Sequence, residues 1–243
     1  MLTTTKAIVL HSFKCGESKL ITDLLTPADG RVACVATVTK SPRAKLKKQY
    51  FQPLTVIEAV IDIRQRARLQ RLKEARVAVP FTSIPFDPFK LSIALFTAEF
   101  IQHATRKEPL DAPTFSYILN SILWLDGCVG RFANFHLVFM MRLSRFLGFY
   151  PNLDGYSAGY RFDLRASGFR PDAPLHSDCL PPDESARIIR LLRMNYANMH
   201  LFKMTRQERN RMAEVILRYY QIHIPDFPEL KSLPVLQELF ADD

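Results

Sequence analysis

The chain has 243 residues, 48% of them hydrophobic and 23% charged, with four cysteines and a formal net charge of +9. These proportions exclude a disordered or low-complexity chain, and the length admits one large domain or two smaller ones, each with its own core. No apolar run approaches the roughly 18 residues of a membrane helix, the first residues are not a charged start followed by an apolar stretch, and Cys15, Cys34, Cys128 and Cys179 show no paired spacing, so the expectation is a cytoplasmic chain with free, mostly buried thiols.

Residues 6–11, 19–25, 32–38, 54–63 and 69–79 are rich in β-branched and apolar residues, with turn residues at 15–18 and 27–30, and are read as strands. Five short strands within 80 residues predict a small closed barrel. Three prolines between positions 80 and 88 allow neither a helix nor a central strand through that segment. A domain boundary is therefore expected there, with one domain over 1–80 and another over 81–243. Beyond it the apolar period changes to about 3.6, predicting helices over 89–106, 113–125 and 131–149, with Asp87 and Asp111 as start signals. Residues 150–182, rich in Gly, Pro, Asp and Ser, are read as a long excursion with a hairpin near 160–169. Helices are expected again over 183–198, 206–224 and 234–240. The fold class is thus α+β: an N-terminal five-stranded barrel followed by a mostly α-helical domain.

The positive charge is not spread evenly. Residues 1–80 hold 15 Lys and Arg against 6 Asp and Glu, while the remaining residues hold 18 of each. Charge of one sign concentrated on one module attracts a polyanion. The densest cluster, Lys40, Arg43, Lys45, Lys47 and Lys48, is followed by Tyr50 and Phe51. Cations there neutralise phosphates while bases stack on rings, unless the segment is a plain solvated loop. Arg64, Arg66, Arg68, Arg71, Lys73 and Arg76 lie mainly two apart, forming a stripe if the segment is extended and scattering if it is a turn and a helix.

Other chemistries find less support. The run from Cys15 to Lys19 lacks the second glycine and the Lys-Ser order of a phosphate loop and reads as a tight turn. The six histidines form no ligand pair on one helical face. Asp23, Asp29 and Glu58 have no convincing metal-carboxylate spacing, although a metal-dependent nuclease using them stands as one alternative. An RNA-associated barrel is another, because such barrels accept either nucleic acid. The segment 131–149 is apolar on nearly every face and so reads as a bundle core. Arg131, Arg142 and Arg145 are placed to rim an apolar groove suited to an acidic peptide.

Several motifs together resemble the bacterial DNA repair protein RecO family. They are the segment from Ala7 through Gly16-Glu17-Ser18 to Pro27, then Gly30-Arg31-Val32, then Leu54 after Gln52-Pro53. The later ones are Leu147-Gly148-Phe149-Tyr150-Pro151 and Leu230-Lys231-Ser232. The resemblance implies an oligonucleotide-binding barrel and a helical domain that bind single- and double-stranded DNA and anneal complementary strands. It also implies binding to the acidic C-terminal tail of single-stranded DNA-binding protein and, with RecR, promotion of RecA loading, all without bond cleavage. Many members carry a zinc module after the Leu-Gly-Phe-Tyr-Pro segment. Here Tyr156 and Gly159 stand where a Cys-x-x-Cys start is found, so the excursion is expected to be a metal-free remnant, with no cofactor.

Overall fold

The computed structural model describes residues 1–38, 45–64, 66–106 and 111–239. Lys40 and Arg43, and Phe240 at the expected end of the last helix, lie outside these residues.

Five strands, β1 (Leu2–Lys14), β2 (Lys19–Thr26), β3 (Gly30–Thr37), β4 (Val56–Asp62) and β5 (Gln70–Val79), close into a barrel in the order β1-β2-β3-β5-β4. Among the described residues the one parallel pairing is β3 with β5, which matches Cys34 to Gln70 and Ala36 to Leu72. Alternate residues fill the interior: Ala7, Val9, Leu24, Cys34, Ala36, Ile57, Ala59, Ile61 and Leu72 are all buried there. Burial pushes the Cys34 thiol up to about 12, with Asp23 adding to the rise. All four thiols are free, but only Cys34 is buried and Cys15 is exposed, which corrects the expectation of mostly buried cysteines.

By spatial compactness one unit comprises Met1–Gly127 with Leu230–Leu239, and the other Cys128–Glu229. The first unit therefore contains the barrel, α1 (Pro88–Ala104), α2 (Ala112–Gly127) and α6 (Leu233–Leu239). The proline-rich segment does break the chain between strand and helix. Its backbone is nonetheless held: the amides of Thr82, Ser83 and Ile84 donate to the Asp126 carboxylate at 2.8–2.9 Å. Burial alone would raise the Asp126 carboxyl, but these hydrogen bonds outweigh it and hold the group below its ordinary value. Asp87 caps α1 by accepting from the amides of Phe89 and Lys90. Arg31 donates to the Gln102 carbonyl of α1 at 3.0 Å and pairs with Asp23 at 3.2 Å. Glu99 of α1 accepts from the amides of Lys231 and Ser232 at 3.0 and 2.8 Å, holding the start of α6.

In the second unit, α3 covers only Phe135–Phe146, shorter than the expected 131–149. Gly130 and Arg131 both have left-handed backbone, with φ of 66° and 61°. Two such residues in succession cannot continue a right-handed helix. Nine of the twelve residues of α3 are buried, as a bundle core requires. α4 (Pro182–Arg193) follows the excursion, and a capping box between Thr205 and Glu208 starts α5 (Arg206–His223). Within the excursion, β6 (Arg161–Asp163), β7 (Gly168–Arg170) and β8 (Cys179–Leu180) form a sheet in the order β7-β6-β8. Two buried carboxylates organise it. Asp163 accepts from the amides of Arg165 and Ala166 and pairs with Arg170, and Asp178 pairs with Arg165 and Arg218, both at 2.8 Å. Tyr156, at one expected zinc-ligand position, meets the edge of Phe169 with ring centroids 4.9 Å apart. Among the described residues no group of three or more potential ligands is close enough to hold a metal.

Candidate nucleic-acid interface

The outer surface of the barrel owes its chemistry to a displaced residue. Val9 pairs with Leu24, but His11 pairs with Asp23, so Leu10 is an extra residue, a β-bulge. Without it, the alternation that points Ala7 and Val9 inward would carry His11 and Phe13 inward too. With it, both turn outward, their rings 5.7 Å apart, and Phe13 stays 49% exposed. The β1–β2 connection is the tight turn expected from its sequence. The Cys15 amide donates to the Lys19 carbonyl at 2.9 Å, and Gly16 takes φ of 79°, where a side chain would be strained. The turn sets Lys14 and Lys19, both exposed, on either side of it.

Next to it, Lys48–Phe51 forms a short 3₁₀ turn. Phe51 is buried in the barrel core and Tyr50 packs against that core. This corrects the stacking role expected for Phe51, because a ring buried in the core presents no face to a base, while Tyr50 is only partly buried. The Phe51 carbonyl instead receives the Ser12 hydroxyl at 2.7 Å, joining the 3₁₀ turn to β1. A groove of about 910 Å³ lies between these segments, with Leu20, Val38 and Phe51 among its lining and Phe13, Lys14, Lys19, Lys47 and Lys48 around it. A second groove of about 570 Å³ shares Lys19 and is lined also by Thr37, Lys45, Arg71 and Lys73.

The cations named from the sequence thus fall into distinct classes. Lys47 and Lys48 border the first groove, and Lys45, Arg71 and Lys73 the second. Lys45 is ion-paired with Glu74. Arg64, Arg66 and Arg68 do not extend the strand, which begins at Gln70; they sit in the β4–β5 connection, where Arg64 pairs with Asp62 at 3.0 Å. The extended stripe is therefore confined to β5. There the ladder skips Lys73 between Leu72 and Glu74, so Lys73 and Glu74 are both exposed and strict alternation is lost. Arg76 pairs with Glu58 at 2.7 Å across the strands. Of the described cations that line the two grooves, Lys14, Lys19, Lys47, Lys48, Arg71 and Lys73 have no ion-pair partner, so their charge is available to a ligand, and Arg66 and Arg68 are unpaired too but line neither groove. Sequence reasoning missed Lys14, Lys19, His11 and Phe13. The one signal was the unbroken apolar run from Ala7 to Leu10, all buried, which breaks the period-two pattern where the bulge lies.

Of the carboxylates considered for a metal, Asp23 holds Arg31 and Glu58 holds Arg76. In the second unit, Arg142 and Arg145 are exposed on α3 while Arg131 lies in the preceding turn. Arg142 donates to the Met194 carbonyl at 3.3 and 3.4 Å, and the Arg145 guanidinium lies 5.9 Å from the centre of the Tyr150 ring. Met194 also lines a groove of about 330 Å³ with Leu191, Leu201, Phe202 and Met204, bordered by Arg187, Arg190 and Lys203.

A closed barrel of this strand order with a cation-lined outer surface, followed by helices, defines the class of oligonucleotide-binding barrel proteins with an α-helical extension. The family models for the N-terminal and C-terminal parts of recombination protein O match residues 1–81 and 85–234, meeting at the proline-rich segment. The chain is 52% identical over 241 residues to the DNA repair protein RecO of Bacteroides fragilis and 47% identical over 241 residues to that of Phocaeicola vulgatus. In both cases 99% of this chain and 100% of the relative are covered. It is 31% identical over 238 residues to the RecO of Flavobacterium psychrophilum, with 98% of each chain covered. The chain belongs to the RecO family, and its role is in DNA repair and recombination.

Proposed function

We propose that this protein binds single- and double-stranded DNA through the barrel and promotes annealing of complementary strands. The observation that carries this is the set of six unpaired cations, Lys14, Lys19, Lys47, Lys48, Arg71 and Lys73, around two adjoining grooves of one barrel. Cations on one surface neutralise phosphates of two strands and lower their repulsion, and base pairing then supplies the driving force. The work is binding rather than bond chemistry, and no nucleotide hydrolysis is required. Binding is sequence-blind because phosphate contacts carry no base information.

In this reading the helical unit takes the acidic tail of single-stranded DNA-binding protein on the face bearing Arg142 and Arg145, with Arg131 nearby. Supporting it is the apolar groove that Met194 shares, edged by Arg190 and Lys203 and by Arg187, which is paired with Glu208 at 3.5 Å. RecR acts with the protein to load RecA on the exposed strand. The test is annealing of complementary strands coated with single-stranded DNA-binding protein, with and without its acidic tail. Annealing that depends on the tail and is lost in an Arg71→Glu/Lys73→Glu variant supports the reading. Full annealing by that variant overturns the barrel assignment, and equal tail binding by wild type and Arg142→Glu removes Arg142 from the tail site. RNA outcompeting DNA of equal length would favour an RNA-associated role instead.

A further inference from the structure

The two grooves of the barrel differ in what they offer a nucleic acid. The second presents Lys19, Lys45, Arg71 and Lys73 and no aromatic side chain. Charge alone serves any phosphodiester backbone, paired or not. The first adds Phe13, half exposed, with His11 beside it and an apolar floor that includes Leu20 and Phe51. The bulge at Leu10 keeps this ring turned outward, at a groove that Lys14, Lys19 and Lys47 also line. An unpaired base presents a π-face that an aromatic ring can cover, whereas bases in a duplex are already stacked on their neighbours.

We propose that the first groove is a binding site for an unpaired nucleobase, with Phe13 as its stacking platform and Lys14, Lys19 and Lys47 holding the flanking phosphates. Phe13 is then the residue that makes the barrel favour single strands over duplex, while Arg71 and Lys73 serve both. This inference rests on the DNA-binding reading above and assigns it a discriminating residue. It also describes a release step for annealing: a base that finds its complement can no longer occupy the Phe13 site, so the paired product leaves that groove.

The test compares wild type, Phe13→Ala and Phe13→Trp for binding to a labelled oligothymidylate, to an abasic strand of the same length and to a hairpin duplex. Wild type is expected to bind the oligothymidylate more tightly than the abasic strand, and Phe13→Ala to lose about 5- to 100-fold on the oligothymidylate alone. Phe13→Trp should keep the affinity, and its added indole emission should be quenched by the oligothymidylate but not by the abasic strand. Equal affinity of wild type for strands with and without bases, with salt dependence intact, overturns the Phe13 site but leaves DNA binding standing. An equal loss by Phe13→Ala on all three ligands, or unquenched emission from the bound Phe13→Trp variant, also overturns it. Failure of wild type to bind any of the three sinks the DNA-binding reading itself.

Discussion

If the six unpaired cations around the two grooves each meet one phosphate, the affinity for single-stranded DNA must fall steeply with salt. Each neutralised single-strand phosphate contributes about −0.7 to the slope of log affinity against log salt, so six contribute about −4. Raising salt from about 50 to about 200 mM then weakens binding by roughly 300-fold. Replacing Arg71 and Lys73 by Gln removes two contacts, which brings the slope to about −3 and the loss over the same interval to roughly 50-fold. Arg76 supplies the control, since Glu58 already holds its charge at 2.7 Å. A Glu58→Gln/Arg76→Gln variant removes a neutral pair and should keep the wild-type slope. Fluorescence anisotropy of a labelled strand at four or five salt concentrations measures all three. An unchanged slope in the Arg71/Lys73 variant, or an equal change in the Glu58/Arg76 variant, would show that pairing within the barrel does not decide which cations reach DNA.

Three further outcomes concern the scaffold. Asp178→Asn removes the charge shared by Arg165 and Arg218 and should cost about 2 kcal/mol in urea unfolding while speeding proteolysis within residues 160–180; a change below about 0.5 kcal/mol would contradict the role given to that carboxylate. Glu99→Ala leaves the Lys231 and Ser232 amides without their acceptor, so hydrogen exchange over residues 232–239 should accelerate, with a stability loss of about 1 kcal/mol, while exchange in the barrel strands stays slow. Burial, with Arg209 adding to it, holds His136 down to about 3. The folded ring therefore stays neutral while an unfolded histidine gains a proton below about pH 6.5, so stability declines as pH falls from about 6.5 toward 3, by up to about 1.4 kcal/mol per pH unit. His103, also lowered by burial, adds in the same direction. His136→Gln should flatten the urea midpoint between pH 6.5 and 5, a window in which the lowered carboxyls of Asp163 and Asp178 do not yet titrate.

Several motifs legible in the chain turn out to mark places where the backbone has little choice. Gly16 and Gly148 take left-handed conformations, and Leu54, buried and also left-handed at φ of 62°, returns the chain to β1 by donating its amide N–H to the Val9 carbonyl. Arg31 joins β2 to α1, and Ser232 meets Glu99 at the start of α6. These positions are recognisable because each combines a particular residue type with a particular neighbour in the sequence. The helices and barrel strands of the described residues are readable for a related reason: a period of two or of 3.6 is a local property that burial on one face imposes on the chain.

The placement of charge and aromatic surface required the closed barrel. Residue order alone made Lys45, Arg64 and Arg76 equal to Arg71 and Lys73, yet the first three are held by Glu74, Asp62 and Glu58. Glu74 and Glu58 come from other segments, so the pairing of Lys45 and Arg76 exists only once the strands have closed, whereas Asp62 reaches Arg64 from two residues away. Likewise Phe51, three residues beyond the lysine cluster, looked like a stacking ring and is a core residue, while Phe13, far from that cluster in sequence, stands at the groove. One extra residue at Leu10 reverses the faces of everything after it in β1, and nothing within the strand announces the reversal except four apolar residues in a row. Local composition therefore established a basic barrel joined to a helical region, because propensity and net charge depend on residue type alone. Which cations are free, and which ring is exposed between them, depends on the partners that tertiary closure brings within a few ångströms.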